Sequence, residues 1–525
     1  MKKILLILCF CAPLVLGAQT IDWATDIAPI LYEHCVSCHR DDGIGHFSLI
    51  GYGNAYSNRY GIRYMTEERQ MPPWKADPEY RHYVGENVLT DAEILAISEW
   101  VEQGAPAGDM SQAPEDPVFL QGSEIGQADN VLLTPYYTLT STEDEYRCFV
   151  MPSGLLEDAY LRGIEVIPGN HEAVHHVLIF EDTTGISSDL DAQTPEPGYV
   201  SFGGIGVQGA RLVGAWVPGS RPQLLPESMG IKLHAGSSLV LQTHFPGEAV
   251  GLSEATTVNL FYTDGTNGIR EVRMAPVLNH TPISLQDYPL YIPADSIKTY
   301  HAKFTIPIKA SVLGVAPHMH LIGRSITSFA VTPAGDTVPL IRIPEWDFHW
   351  QGRYMFQYIQ TLPAGTTLHA FAEYDNTSGN PNNPSFPPVD VSEGEATTDE
   401  MMLVYFTFMG YETGDENILL DSTLLSSAVL RPDNPVVEHI QLAPNPATSN
   451  TTLQFSVLET DQYQIDLVDA SGSIVQTSSG SRTLPPGTQQ KLLNVGHLPE
   501  GIYFVRILHR NRVVGIKRLV VQRSK

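Results

Sequence analysis

Residues 238–245 read Ser238-Leu239-Val240-Leu241-Gln242-Thr243-His244-Phe245, an apolar, β-prone run with no proline or glycine. Such a run predicts a strand. Similar runs recur at 212–217, 257–262, 367–374 and 403–408, separated by Gly, Pro and Asp turns. With 43 Gly and 38 Pro and few long helical patterns, the chain reads as mostly β. The stretch from about Val118 to Leu430 is long enough for two β-sandwiches. At 525 residues the whole chain predicts roughly three or four domains. The balance of 31 Lys+Arg against 59 Asp+Glu gives a net charge of −28, which argues against a nucleic-acid partner.

Working outward from His244, further histidines fall in order: His175-His176 before it, then Pro317-His318-Met319-His320, then Met401. In an extended strand His318 and His320 project from one side and Met319 from the other. Two imidazoles on one face are half of a metal site, and an added thioether favours copper. An isolated His-x-His is more often a pair of unrelated side chains. Adjacent His175 and His176 point to opposite faces of a regular strand, so both serve one metal only at a bulge or strand end. Met401 and Met402 alternate as well, so only one of them faces a site. His171, His234, His280, His301, His349 and His369 read as structural or surface residues.

Upstream, Cys35-Val36-Ser37-Cys38-His39 has the spacing of covalent haem attachment, with two thioether-forming thiols and a proximal histidine ligand. A redox pair or half of a zinc site fits less well, because no second Cys pair exists. The region resembles a small c-type cytochrome. A helix over about 25–34 leads into the motif. Another over about 90–103 carries a Thr90/Glu93 cap and an Ile94, Ile97, Val101 stripe. The proline-fixed loop Gln70-Met71-Pro72-Pro73-Trp74 nominates Met71 as distal iron ligand, with Met65, His34 and His46 as competitors. An acidic, proline-rich linker over 109–117 ends the region, placing an all-α cytochrome c-like domain at 19–108.

The ends of the chain carry addresses. Lys2 and Lys3, the apolar run 4–16 and Gly17-Ala18 form a signal peptide over 1–18. No transmembrane segment follows, since nothing later approaches twenty apolar residues. Cys148 then reads as an unpaired, buried small hydrophobe in a disulfide-poor exported protein. Residues 436–525 resemble the C-terminal sorting domain of the type IX secretion system, a small β-sandwich, with an Ig-like adhesion module as the alternative.

The histidine order and its local contexts (Val174-His175-His176-Val177, Leu241-Gln242-Thr243-His244, Pro317-His318-Met319-His320 and Asp399-Glu400-Met401) resemble the copper type II, ascorbate-dependent monooxygenases. That family includes peptidylglycine α-hydroxylating and dopamine β-monooxygenase. The resemblance implies two antiparallel, jelly-roll-like β-sandwiches, at 118–282 and 283–430, facing each other across an open, watery cleft. It implies one copper at His175, His176 and His244 that stores an electron. It implies a second at His318, His320 and Met401 that activates O2, with Tyr405 also matching. The implied function is a secreted haem–copper oxidoreductase that hydroxylates a C–H bond of a small organic substrate. Electrons would come through the haem from ascorbate or an electron-donor protein. Ala316 and Leu403 stand where the peptide-processing relatives have an arginine and an asparagine, which points to neutral or cationic substrates unless Arg324 compensates. A non-hydroxylating electron carrier or copper-binding surface protein is the alternative.

Overall fold

The computed structural model describes residues 20–41, 43–117, 119, 122–420, 437–458, 460–469, 474–509 and 512–522. The signal peptide at 1–18 and the end of the 283–430 range lie outside them. The chain divides into two compact units. The first combines the residues up to Pro72 with Val88–Pro117, and the second combines Pro73–Asn87 with Val118 onward.

The described residues of the first unit form helices and turns and no strand. Asp22 caps a helical turn, Trp23–Ile27, that runs on into the helix Ala28–His34. The helix Asp91–Glu102 begins at Thr90, whose hydroxyl accepts from Glu93 N–H while the Glu93 carboxylate answers, so both halves of the capping box form. Trp23, Ile27, Leu31, Ile97 and Trp100 are all buried, with the Trp23 and Trp100 rings 6.2 Å apart. Between these helices stands a third, Tyr52–Glu67, that sequence reasoning missed. It buries only Ala55, Ile62 and Thr66 and leaves Tyr56, Tyr60 and Tyr64 exposed, so it has no apolar stripe to recognise.

The second unit is β throughout its main body, in two pairs of packed sheets. The first pair sets a five-stranded sheet (130–133, 257–262, 159–167, 229–233, 270–271) against another (199–200, 145–152, 238–245, 176–182, 211–216). Val166, Leu260, Ile179 and Leu241 interdigitate between the layers. The second pair consists of two four-stranded sheets, 273–278, 403–410, 310–318, 354–362 and 296–305, 367–376, 323–331, 337–343. Val315, Phe406, Ala302 and Ala370 fill its core. Strand 270–271 pairs with the first sandwich and strand 273–278 with the second, so the chain crosses at Val272, ahead of residue 282. Leu313, Met355 and Met409, on the outer face of the second sandwich, extend the first sandwich's core, so the two share an apolar joint. Cys148 is fully buried beside Tyr199, Ile205 and Val240, as a small hydrophobe should be.

Residues 73–87 leave the helical region to pack on the second sandwich. Trp74 meets Tyr354 edge-on at 5.3 Å, Tyr83 donates to the Leu340 carbonyl at 2.9 Å, and Asp77 pairs with Arg342. Last comes a pair of sheets of three and four strands from Val437 to Val521, with Leu453, Phe455, Ile465 and Val505 inside.

Candidate metal centres

The strand Ser238–Phe245 carries His244 one residue before its end, in register with His176, the first residue of the strand His176–Asp182. His175 sits one residue before that strand, its N–H donating to the His244 carbonyl at 3.0 Å. This is the strand-end placement that lets adjacent histidines converge. The Nδ1 atoms of His175 and His176 lie 3.2 Å apart, and ligand atoms of His175, His176 and His244 all fall within 4.8 Å of one another. His175 Nε2 and both His244 nitrogens are buried without a hydrogen-bond partner. Burial, followed by the neighbouring imidazoles, pushes His175 down to about 3 and His176 well below the usual histidine range. Both rings are therefore neutral, the state in which imidazole is a ligand. Orphaned, neutral, convergent nitrogens fit a bound transition metal.

Behind them, Tyr146 stacks on His244 at 4.4 Å and 3°. Asp144 approaches His244 Nε2 at 3.6 Å and receives the Thr397 hydroxyl at 2.6 Å. These neighbours, His244 foremost, hold the Asp144 carboxyl down near 2. A carboxylate behind an imidazole fixes the ring's orientation.

The strand Ala310–His318 stops at His318, and His320 lies beyond the ladder. The two rings still meet, 5.1 Å between centroids, while Met319 is fully buried in the second core. Each ring has its Nδ1 engaged. His318 Nδ1 contacts Gln351 Oε1, and His320 Nδ1 donates to the Asp399 carbonyl at 3.1 Å. Both Nε2 atoms thus remain for a ligand. Glu400 supports the arrangement from beneath, accepting the backbone N–H of His320 and Ile322 at 2.9 Å each and that of Met401 at 3.2 Å. One fully buried carboxylate therefore ties the histidine turn to the segment carrying Met401. Burial raises its pKa to about 8 despite those donors. Met402 belongs to the second core, whereas Met401, also buried, stands outside that cluster. Burial pushes His318 down to about 3 and His320 to about 4.

Two residues were overlooked in the sequence. His280, read as structural, accepts from Met402 N–H at 3.3 Å and acts electrostatically on both His318 and His320. Phe348 stacks on His175 at 4.6 Å and meets His320 edge-on at 5.9 Å, so one ring touches both clusters. Together with the Thr397–Asp144 bond and a Tyr146 hydroxyl donating to the Glu395 carbonyl at 3.4 Å, Phe348 bridges the space between the sandwiches. The open, watery cleft expected from the resemblance is here crossed by packed side chains. Arg324 is more than half exposed and pairs with Glu373 at 3.4 Å.

In the helical unit, Cys35, Cys38 and His39 share one turn, with Cys38 and His39 N–H donating to the Cys35 carbonyl at 3.2 and 2.9 Å. His39 Nδ1 donates to the Phe47 carbonyl at 3.3 Å, which orients the ring and leaves Nε2 for iron. The thiols and the free nitrogen fit a covalent haem. Burial, and then the neighbouring Cys38, raises the Cys35 thiol to about 12. Met71 follows the helix Tyr52–Glu67, its N–H bonded to the Met65 carbonyl, whereas His34 is engaged by Glu93 at 3.4 Å.

Comparison with known proteins assigns one part of the chain. Residues 441–522 match the family described as the Secretion system C-terminal sorting domain. That tail supports export to the outer membrane or cell surface. No helix among the described residues is long and apolar enough to cross a membrane. No curated protein matches the chain. Among solved structures, a β-glucuronidase of Faecalibacterium prausnitzii is 13% identical over 43% of this chain and 37% of its own, at a TM-score of 0.13. A DUF4785 family protein of Legionella pneumophila is 10% identical over 78% and 97%, at 0.15. A Ruminococcus gnavus β-glucuronidase in complex with uronic isofagomine is 10% identical over 49% and 45%, at 0.17. At such scores these likenesses carry no argument about fold or activity.

Proposed function

We propose that the chain is an exported haem–copper oxidoreductase: a cytochrome c-like domain, two jelly-roll-like copper sandwiches and a sorting tail. Its reaction is R–H + O2 + 2 e⁻ + 2 H⁺ → R–OH + H2O on a small organic substrate. The observation that carries this reading is the convergence of the imidazoles of His175, His176 and His244, with orphaned nitrogens on His175 and His244, beside a second pair with Nε2 atoms left for a ligand. His318, His320 and Met401 would hold the copper that meets O2, the sulfur favouring the cuprous state. The first trio, all imidazole, would hold the other copper. Copper, when bound, supplies the one-electron and O2 chemistry. The protein's own residues do the rest. Glu400 and Asp399 fix His320, Gln351 fixes His318, and Asp144 fixes His244. Phe348 excludes water between the clusters. Cys35, Cys38, His39 and Met71 would carry the haem that relays electrons, from ascorbate or a donor protein.

The test is metal analysis of the purified chain followed by a metabolite screen under labelled O2. Two coppers and one haem per chain, with label appearing in a hydroxylated product, are expected. Zinc in both centres would sink the reading. The electron-carrier alternative draws on Phe348 joining the two clusters. It predicts reversible redox cycling with no O2 consumed.

A further inference from the structure

The loop 344–353, between strands 337–343 and 354–362, touches both candidate centres along its length. Trp346 donates its indole N–H to the His320 carbonyl at 3.2 Å. Phe348 stacks on His175 and meets His320 edge-on, and the His349 ring stands 6.0 Å from that of His175. Gln351 contacts His318 Nδ1, while its amide donates to the Phe348 carbonyl at 2.8 Å. Asp347 ties the loop together. Its carboxylate accepts the His349 N–H at 3.0 Å and its carbonyl accepts the Trp350 N–H at 3.1 Å.

What holds Asp347 comes from far away in the chain. Lys75 Nζ lies 3.2 Å from Asp347 Oδ2, with only 23% and 29% of the two side chains exposed. Lys75 belongs to the segment 73–87, which also grips both strands that flank the loop. Asp77 N–H donates to the Arg342 carbonyl and Val84 N–H to the Met355 carbonyl, at 2.8 Å each. Ala76 and Tyr83 sink into the second core, and Trp74 packs against it. One strap thus fixes the loop at both shoulders and at its middle. A partly buried ion pair is screened less than an exposed one, and an outer partner of this kind decides how the side chains nearer a metal are oriented.

We propose that Lys75 and Asp347 are positioning residues for both centres: their ion pair sets Phe348 between His175 and His320, so that metal bound at one centre tightens binding at the other. The inference rests on the reading of the two histidine clusters as metal centres and adds a coupling between them. Metal at His175, His176 and His244 fixes the His175 ring, and that ring fixes Phe348. The loop then holds Gln351 against His318 and Trp346 against the His320 carbonyl. Ordering these shared side chains costs entropy once, so the second metal meets a site already arranged. The coupling is reciprocal. Repulsion between two bound cations acts against it, but that term is common to the parent and to Phe348→Leu, which alters no charge.

The test titrates the full chain anaerobically with Cu(I) against a competing chelator, beside His244→Ala and His318→Ala chains that each keep one intact centre. The two-copper binding constant of the parent should exceed the product of the two single-centre constants about fivefold or more. Lys75→Met and Phe348→Leu, each measured in the same three backgrounds, should bring that excess toward one, and Lys75→Arg should keep it. Affinity lost at a single centre cancels in this ratio, so a merely structural role does not move it. In the metal-free chain, Lys75→Met should also speed hydrogen exchange over 346–351 and leave 238–245 unchanged. Should Lys75→Met fail to fold, Phe348→Leu decides, because it leaves the ion pair intact. Constants that multiply without excess, an excess that survives Phe348→Leu, or unchanged exchange of the loop in folded Lys75→Met would overturn the proposal. Zinc in the same titrations separates the two readings. Coupled zinc binding by a chain that takes no copper leaves the coupling standing and removes the copper enzyme. Two coppers bound independently do the reverse.

Discussion

At the scale of the residue, neighbours in sequence have opposite fates. Met401 and Met402 differ by one position, yet Met402 is packed in the second core and Met401, though buried, is not part of it. Met402→Ala should cost about 2–5 kcal/mol of stability, as buried methionine deletions do, and leave the copper–sulfur component of the reduced X-ray absorption spectrum intact. Met401→Ala should remove that component, whatever stability the loss of its buried side chain costs. The reverse pattern would shift the ligand by one residue. Asp144 stands behind His244, 3.6 Å from its Nε2, outside the convergent trio of imidazoles. Asp144→Asn should weaken metal binding at the first centre by about 10–100-fold while leaving the second unchanged, as competition titrations with a chelator would show. The converging histidines were legible in sequence. Asp144, His280 and Phe348 were not, because nothing in their local pattern marks them and only folding brings them to the centres.

At the scale of the element, the joint between the sandwiches depends on a short turn. Asp415 is nearly fully buried, receives Arg270 from the crossing strand, and accepts the Ser311 hydroxyl at 2.5 Å. Burial raises its pKa, but Arg270, Ser311 and the Glu412 N–H outweigh it, leaving the carboxyl near 2 against an ordinary 3.8. The sign follows: the depressed group stabilises the fold fully above pH 4 or so and loses that contribution as pH falls toward 2. The contribution is about 2 kcal/mol. Denaturant melts from pH 7 to 2 should show this acid loss in the parent and a flatter curve, lower at neutral pH, in Asp415→Asn. Equal slopes would dismiss the assignment. Strands 238–245 and 257–262 were readable to the residue, and so was the Thr90 cap, because apolar runs and capping chemistry are local. The helix Tyr52–Glu67 was not, since its exposed face is tyrosine-rich and its buried residues are few.

At the scale of the whole molecule, the tail and the chemistry are separable. The sorting-domain match begins at residue 441, so a chain cut after residue 436 should keep its metal content and any activity but fail to reach the cell surface. Fractionation of the producing cells would show it retained in the periplasm. A truncated chain that still arrives at the surface would remove the tail's role.

Sequence alone determined the strand content, the helix cap, the haem-type motif, the sorting tail and the order of the histidines. Each depends on spacings within a few residues, where backbone geometry leaves little freedom. Tertiary structure decided what joins across distance. The segment 73–87 packs on the second sandwich, Glu400 clamps His320 to Met401, and side chains of both sandwiches close over the centres. Val315 comes to stand opposite Tyr354 only because strand 354–362 pairs with strand 310–318 in one register. A register between strands some forty residues apart is set by how the cores pack, and no short stretch of sequence encodes it.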